Sequence, residues 1–470
     1  MGHFRLLVVG NGISAYGSYL NMVALNVFVY HVTGSALTAG LFMAVRLVTN
    51  VLSGFVAGRL VSTRDRKRLM VGADLTQALA LIALLLAPDG ARVGLLFGLA
   101  VITGFCSTLS QVALRSSVPE IVGAEHRARA NGLLVTGRSL AMIAGFASSG
   151  LVVAELGYSA AFALDAATFV ISATVLFLLP VRTRAAAEDG AAEAGAGQEE
   201  SGAASGFARM LLRTAPLLAV MIAVRAVDGL GSSSHNVALP IYSDSLDPDH
   251  PATFISQFWA TWAIGNIVAQ QLFGRVTKKT GRTPGERAFA LGACVMSAAF
   301  IVVFAGLPTV PAIIAALVAG MADGFTEIVY ISRLQAAPDA QRGRLFGLSA
   351  SAENTGFGLG MIVSAALLET FSPLQVVAAF HGLAIALCVA LLVLLLRPGG
   401  KLTRRADGPA GGQDVRDASA DVPADVPADV TTGASADVTT GGGSTDEAST
   451  GDVSADGVST DVKTAEGRSS

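Results

Sequence analysis

Acidic and basic side chains occur at helical spacing inside otherwise apolar stretches of this sequence. Asp323 and Glu327 are four residues apart, and Arg225 and Asp228 are three apart, so each pair would share one face of a helix. Glu353 lies in a further apolar stretch without a basic neighbour. A carboxyl group in an apolar medium binds a proton more readily than it does in water. These groups are therefore candidates to bind and release a proton.

A purely structural role for some of these side chains is the alternative. The arginine and aspartate that are three residues apart would neutralise each other within one helical turn, which stabilises a helix without moving protons. His381 is expected to be a packing histidine. Trp259 and Trp262 could line an internal cavity, but anchoring at a membrane interface, where tryptophan is enriched, is their expected role.

The chain that carries these charges is too apolar for a set of water-soluble domains. Of 470 residues, 52% are hydrophobic and 14% are charged, whereas soluble domains carry roughly 25% charged residues. An apolar stretch of about 20 residues can cross a bilayer as a helix. The sequence therefore predicts an all-α integral membrane protein with twelve transmembrane helices, at about 6–30, 36–61, 69–87, 91–118, 127–154, 157–180, 215–243, 253–276, 286–307, 309–335, 344–370 and 374–397.

Charge is distributed unevenly along the chain. Residues 407–470 hold 13 acidic and 3 basic residues, a net charge of −10, so the total of −3 leaves +7 for residues 1–406. Basic residues of that body follow the even-numbered stretches, and the loops after odd-numbered stretches hold one, Arg92. Because basic loops remain on the cytoplasmic side of a membrane, both termini are predicted to be cytoplasmic. The positive charge of the body needs no nucleic-acid partner to explain it.

Two polar segments divide the chain into its predicted domains. The segment 183–208 is rich in Ala, Gly and Glu and predicts a flexible cytoplasmic linker. It separates an N-terminal six-helix bundle, 1–182, from a C-terminal six-helix bundle, 209–398. Residues 399–470 are of low complexity and almost free of large apolar side chains, which predicts a disordered acidic cytoplasmic tail.

A motif of small, basic and acidic residues lies between the second and third apolar stretches. Its glycine permits close approach of helices, and its basic residues can pair with acids and helix ends on the cytoplasmic side. These candidate residues of a cytoplasmic gate are Gly58, Ser62, Arg64, Asp65, Arg66, Lys67, Arg68 and Asp74. The motif resembles the signature Gly-x-Leu-Ala-Asp-Arg-x-Gly-Arg-Arg/Lys of the major facilitator superfamily, with Ser62 in place of the aspartate. Asp74 is predicted to supply the missing acidic partner.

Further matches extend this resemblance along the apolar body. Gly274 to Arg282 occupies the corresponding place between the eighth and ninth stretches, as an internal repeat requires. Residues 157–169 and 342–347 also match. Together these segments resemble the branch that contains macrolide efflux proteins and the enterobactin exporter.

The resemblance implies transport by alternating access, in which two pseudo-symmetric six-helix bundles rock about a cavity near the middle of the membrane. Efflux members usually exchange substrate for protons, so Asp228, Asp323, Glu327 or Glu353 would carry the coupling proton. Asp165 lies in a helix that is usually peripheral in this fold, and structural pairing is its expected role. The candidate residues of the substrate cavity are Asn21, Arg46, Asn236, Asn266 and Tyr330. Interhelical hydrogen bonding alone is the alternative for the asparagines.

The sequence thus predicts a secondary active transporter that exports an amphipathic small molecule in exchange for protons. A drug, a siderophore or a secondary metabolite would fit. A nutrient importer on the same fold, or a membrane protein that does not transport, is the alternative. No pattern of a nucleophile with a base, or of clustered metal ligands, predicts an enzyme, a metal or a cofactor. We expect a monomer in the plasma membrane of a bacterium, whose partners are its substrate, protons and the lipid bilayer.

Overall fold

The computed structural model describes residues 2–123, 126–179, 211, 215–280, 284–337 and 339–396. The predicted linker, 183–208, and the predicted tail, 399–470, lie outside the described residues. The described chain forms α-helices joined by short turns, with a 3-10 turn at Asp89–Ala91. The helices are α1 (Gly2–Thr33), α2 (Ala36–Thr63), α3 (Arg66–Leu85), α4 (Arg92–Val122), α5 (Arg127–Leu178), α6 (Pro216–Leu246), α7 (Pro251–Thr280), α8 (Glu286–Val303), α9 (Thr309–Gln335), α10 (Asp339–Leu368) and α11 (Pro373–Leu396).

Helix α5 contains two of the twelve predicted membrane spans. It runs for 52 residues and is interrupted at Gly157, whose φ of 80° and ψ of 172° are not helical. A glycine adopts such a positive φ without the steric cost that other residues have. The chain therefore reverses at Gly157 between the predicted spans 127–154 and 157–180, and the eleven α-helices supply twelve spans.

The helices have the length and surface of membrane spans. Eight stretches of the described helices are long and apolar enough to cross a bilayer. Large apolar side chains such as Leu79, Leu151 and Phe177 are exposed on the outside of the bundle. A water-soluble protein rarely exposes so much contiguous apolar surface, so this belt is the surface that lipid covers.

Two groups of helices form the two halves of the fold. In the first half α1 and α3 pack on α5, and α2 packs on α4. In the second half α6 packs on α10 and α11, while α9 packs on α7 and α8. The halves meet mainly where α5 lies against α7 and α2 lies against α10. This is the all-α arrangement of two six-helix bundles that the sequence predicts.

The buried core is continuous at one end of the molecule and divided at the other. We call the end that holds Gly2 and the α2–α3 turn the near end, and the end that holds the α1–α2 turn the far end. At the far end one apolar cluster includes residues of both halves, such as Phe146 and Trp259. At the near end each half has its own cluster, one around Phe4 and one around Phe289. The two halves are therefore joined at the far end and separated at the near end.

Candidate functional site

An arginine with three carboxylates forms an ionic cluster inside the second half. Arg225 of α6 donates through Nη1 to Asp228 Oδ2 at 3.2 Å and through Nη2 to Glu327 Oε2 of α9 at 2.7 Å. The same Nη2 donates to Glu353 Oε2 of α10 at 3.4 Å. The Arg225 side chain is only 6% exposed. One buried cation thus connects three helices through three acids.

Hydrogen bonds from Tyr330 extend this cluster. The Ser349 hydroxyl donates to Glu353 Oε1 at 2.7 Å, and the Tyr330 hydroxyl lies 2.5 Å from the Ser349 oxygen. Since Ser349 uses its proton on Glu353, Tyr330 donates to Ser349. The guanidinium carbon of Arg225 also lies 5.4 Å from the centre of the Tyr330 ring, within range of a cation–π interaction. Tyr330, predicted as a cavity residue, therefore supports the Arg225 cluster.

Asp323 and Glu327 have separate partners, although they share one face of α9. Asp323 Oδ2 accepts a hydrogen bond from Asn266 Nδ2 at 3.1 Å, and Gln270 Nε2 donates to Asn266 Oδ1 at 2.7 Å. Glu327 pairs with Arg225 instead. The helical spacing predicted the shared face, but the contacts place Asp323 in a polar chain with α7 and Glu327 in the ionic cluster.

A cavity between the two halves contains two of the predicted substrate residues. About 400 Å³ of space lies within it, and this volume includes the open space at its mouth. Residues of α1, α2, α6 and α10 line it: Met22, Asn26, Met43, Arg46, Leu47, Asn50, Asn236, Phe357 and Met361. Asn236 also lines a second pocket of about 260 Å³, together with Ser232, His235, Trp259, Trp262, Met296, Phe300 and Asp323.

The other predicted cavity residues lie outside the lining of these pockets. Asn21 donates through Nδ2 to Asp165 Oδ2 at 2.7 Å, and Asp165 also accepts from Thr168. Asn266 is engaged with Asp323, as described above. For Asn21 and Asn266, the contacts correspond to the interhelical hydrogen bonding that was the alternative for the asparagines. Asp165 has the structural pairing that its peripheral helix predicted.

Helical spacing on α1 and α2 could have revealed more of the lining. Met22 and Asn26 are four residues apart. Met43 lies three residues before Arg46 and Asn50 four after it, and Leu47 lies four residues after Met43. A charged side chain within a membrane span identifies the face that is turned from lipid. Residues three, four and seven positions away share that face. The apolar lining residues Met22, Met43 and Leu47 were not predicted from the sequence.

The two tryptophans are not interface anchors. Trp259 and Trp262 are each 3% exposed, and their ring centres lie 5.4 Å apart. Trp259 also packs on Phe146 of the other half, at 5.8 Å between ring centres. The first turns of α7 are covered by α5 at the far end, so aromatic side chains there face protein. The expectation of interface anchoring was wrong for this reason.

A pair of buried histidines lies beside the second pocket. His235 Nδ1 and His381 Nε2 are 3.1 Å apart, and the His235 ring stacks on Phe300 at 4.0 Å between centres. His381 is fully buried, as its packing role predicted. His235 was not predicted from the sequence, because its partner lies 146 residues away on another helix.

The predicted gate motif binds helix ends at the near end. Asp65 caps α3 by accepting from the Arg68 backbone at 2.9 Å. Arg66 donates to the Ser116 carbonyl at 2.7 Å and forms an ion pair with Glu120 at the end of α4. Lys67 donates to the carbonyl oxygen of Leu179 at 2.6 Å, where the C-terminus of a helix favours a cation.

The acidic partner of the motif differs from the prediction. Among the described residues, the acid that pairs with the basic cluster is Glu120, whereas Asp74 is buried in α3 and interacts with Ser172 of α5. Asp74 lies about two turns inside α3, beyond the reach of the basic side chains at its start. Ser62 donates to its own helix, to the Arg59 carbonyl.

The glycine of the motif has no close neighbour in this arrangement. A Cβ added at Gly58 would meet no described atom within 4 Å, and the same holds at Gly54. Close approach was the expected reason for a glycine here. The separation of the two halves at the near end leaves this surface of α2 uncovered.

The amino-acid sequence is similar to a described family and to a curated efflux protein. The model of the Major Facilitator Superfamily matches residues 7–337. The multidrug efflux pump Tap of Mycolicibacterium fortuitum is 25% identical over 393 residues, which cover 80% of this chain and 90% of that protein.

The fold is similar to those of solved transporters. A crystal structure of the nucleoside transporter NupG superposes with a TM-score of 0.66 at 15% identity, covering 84% of this chain and 100% of that chain. A mutant of the peptide transporter POT superposes with a TM-score of 0.64 at 17% identity, covering 83% of this chain and 94% of that chain. At these identities the similarity concerns the fold.

Proposed function

Because the chain belongs to the major facilitator superfamily, we propose that it exports an amphipathic small molecule in exchange for protons. As a member of that family it is a multi-pass membrane transporter. We assign it to the plasma membrane of a bacterium. The basic residues of the near-end loops support an orientation with this end, and both termini, in the cytoplasm.

The observation that carries the proton coupling is the cluster of three carboxylates around Arg225. One guanidinium can offset the charge of one carboxylate, and further negative charge is costly in an interior of low dielectric. Binding of a proton removes that cost. Carboxylates this close together take up and release protons as a coupled group rather than one by one.

The position of the cluster connects proton binding to movement of the halves. Glu353 belongs to α10, which packs on α6 within its own half and on α2 of the other half. A Cβ added at Gly229 of α6 would lie 2.9 Å from the Glu353 carbonyl oxygen, so the two helices touch beside the cluster. Neutralising Glu353 weakens its contact with Arg225 and frees α10 to shift against α6, and neutralising Glu327 does the same for α9. This gives a physical route from protonation to alternating access.

The cavity and the curated relative support an amphipathic substrate and its export. The lining combines one cation and three asparagines with methionine, leucine and phenylalanine side chains. Such a lining suits a molecule with an apolar body and polar groups. Tap, the relative at 25% identity, is a multidrug efflux pump. Export is the direction that this relationship favours.

Everted membrane vesicles test this function. The near end then faces the medium, and export appears as accumulation of a fluorescent probe inside vesicles whose lumen has been acidified. We would use ethidium as a cationic probe and pyrenebutyrate as an anionic one. We expect accumulation of at least one probe, its loss on addition of a protonophore, and its loss in Asp323→Asn/Glu327→Gln.

A matched carboxylate serves as the control. Glu155 is exposed at the far end, so Glu155→Gln removes an acid without touching the cluster. This variant should accumulate the probe as the wild type does. Accumulation that is undiminished by the protonophore, or that persists in Asp323→Asn/Glu327→Gln, would contradict proton coupling through these acids. Accumulation only in right-side-out vesicles with an inward proton gradient would instead support a nutrient importer.

A further inference from the structure

We propose that Arg46 is an anion subsite and that the transported molecule carries a carboxylate on an apolar body. This inference deepens the proposed export function and rests on it. Arg46 lies near the middle of α2 and lines the cavity between the two halves. Lipid is excluded there, so the guanidinium is available to a bound molecule.

Arg46 differs from the other membrane arginines in its contacts. Arg225 holds three carboxylates, and Arg138 of α5 donates to Tyr19 Oη at 2.9 Å and to Gln111 Oε1 at 3.4 Å. Arg46 has no hydrogen bond or ion pair with any of the residues that the structure describes. A cation inside a membrane protein is costly unless it is paired. A ligand that brings a carboxylate into the cavity would provide the missing partner.

Asp165 is the acid that acts electrostatically on Arg46 within this half. Its two carboxylate oxygens are already engaged, one with Asn21 at 2.7 Å and the other with Thr168 at 3.3 Å. Asp165 thus offsets the charge of Arg46 through space, while the N–H groups of the guanidinium have no hydrogen-bond acceptor among the described residues. A substrate carboxylate can accept two parallel hydrogen bonds from such a fork.

The rest of the lining suits the body of such a molecule. Methionine side chains adapt to ligands of differing shape, and here they stand on both sides of the cavity, at Met22 and Met43 in one half and at Met361 in the other. Phe357 adds a flat apolar surface. Asn26, Asn50 and Asn236 offer amide groups to further polar atoms. The arrangement favours an acidic amphipathic molecule over a purely cationic one.

Three probes with one apolar body test this preference directly. Pyrenebutyrate, pyrenebutanol and pyrenebutylamine differ only in the terminal group, which is anionic, neutral or cationic. The chain has two tryptophans, and both line the pocket that adjoins the cavity at Asn236. Energy transfer from Trp259 and Trp262 to pyrene therefore reports binding near the cavity of the purified full-length protein. Partition of pyrene into detergent is the same background for every variant.

We expect wild-type protein to bind the acid about tenfold or more tightly than the alcohol, as one charge-assisted pair with a buried guanidinium supplies. Arg46→Gln should abolish this difference while the affinity for the alcohol stays unchanged. Arg46→Lys should keep part of it, because the positive charge remains. Arg138→Gln is the matched control, and it should retain the wild-type preference.

Two outcomes would overturn the proposal. One is a wild-type protein that binds acid and alcohol equally, a comparison that needs no variant to fold. The other is an unchanged preference for the acid in Arg46→Gln. If Arg46 serves only to offset the charge of Asp165, Arg46→Gln should change the binding affinity for all three probes by the same factor.

Failure of the subsite and failure of the export function give different results. If vesicles export ethidium in a proton-dependent manner while the purified protein shows no preference for the acid, the export function is supported and the anion subsite is contradicted. If binding of pyrenebutyrate depends on Arg46 while the protein moves no probe across a membrane, the subsite is supported and the export function is contradicted.

Discussion

Arg225 of α6 donates a hydrogen bond of 2.7 Å to Glu327 of α9, which lies 102 residues further along the chain. This contact joins two helices of the second half through a buried cation and a partly buried carboxylate. Asp228 and Glu353 bind the same guanidinium. The cluster therefore has more acids than bases, and each of its acids can be tested by removing only its charge.

Glu327→Gln should uncouple transport from the proton gradient. Glutamine keeps the size of the side chain and a hydrogen-bond acceptor for Arg225, but it cannot exchange a proton. We expect probe accumulation driven by a pH gradient to fall to background in proteoliposomes, while exchange of labelled for unlabelled probe continues. Wild-type accumulation in this variant would show that Glu327 does not carry the coupling proton.

Removal of Arg225 should destabilise the protein to an extent that depends on the acids left behind. Arg225→Met leaves the buried Asp228 and the partly buried Glu327 and Glu353 without their cation, and breaking a buried pair costs about 3 kcal/mol or more. In a Glu327→Gln/Glu353→Gln background only Asp228 loses its partner. We expect the fall in the melting midpoint to be clearly smaller in that background, since residues that share one network are not additive.

The measurement is thermal unfolding of the detergent-solubilised protein. Arg138→Met provides the control, because Arg138 donates to Tyr19 and Gln111 and lies outside the Arg225 cluster. Its effect should be the same in both backgrounds. Equal losses for Arg225→Met with and without Glu327 and Glu353 would mean that the three acids do not act through this arginine.

The helices and the charged residues within them could be predicted from the sequence, but most of the contacts of those charged residues could not. Apolar stretches of membrane length follow directly from the order of residues, so the twelve spans and the family resemblance were accessible. The spacing of Arg225 and Asp228 predicted their contact, because residues three apart on a helix are neighbours. The contacts of Arg225 with Glu327 and Glu353 depend on which helices pack together, and one-dimensional spacing does not contain that information.

The same limit explains the residues that were missed or misplaced. Trp259 and Trp262 have the usual properties of interface anchors, but Trp259 packs on Phe146 of α5 and Trp262 packs on Trp259. His235 gains its partner His381 only when α6 packs on α11. Glu120, the partner of Arg66, lies at the end of a different helix. In each case a contact between helices, rather than local sequence, decides the role of the side chain.

Glu369 should hold the two halves together at the far end. Its Oε1 accepts from the Leu37 backbone at 2.9 Å and from the Ser35 hydroxyl at 3.0 Å, so an acid just after the end of α10 caps α2 of the other half. Loss of a cap at an exposed site costs about 0.5–2 kcal/mol. Glu369→Ala should therefore increase the population that is open at the far end, by about threefold or more.

Spin labels can measure this opening. Leu156 and Val310 are exposed at the far end, in different halves, so labels there should report the separation without disturbing the core. The three cysteines would first be replaced. Electron–electron distance measurements should show a longer component in Glu369→Ala. The control is Asp89→Asn, which breaks an ion pair with Arg92 inside one half. Identical distance distributions in Glu369→Ala and wild type would contradict a closing role for Glu369.

Gly40→Val should have a stronger effect on the same equilibrium. A Cβ at Gly40 would lie 2.3 Å from the Ala365 Cβ and 2.9 Å from the Met361 carbonyl oxygen, both on α10. Contacts this short force α2 and α10 apart, and neither the Ala365 methyl nor the backbone can move aside alone. We expect the labels at Leu156 and Val310 to shift almost entirely to the longer distance.

Gly54→Val is the matched control on the same helix. A Cβ at Gly54 would meet no described atom within 4 Å when the far end is closed, so the closed population should remain. The halves must approach each other at the near end when the far end opens. Gly40→Val should therefore favour the far-end-open state, whereas Gly54→Val should disfavour it. Gly54→Val would then slow transport by hindering closure at the near end, while leaving the far-end distance of the resting protein unchanged. A Gly40→Val protein with the wild-type distance distribution would show that this contact of α2 with α10 does not set the closure of the far end.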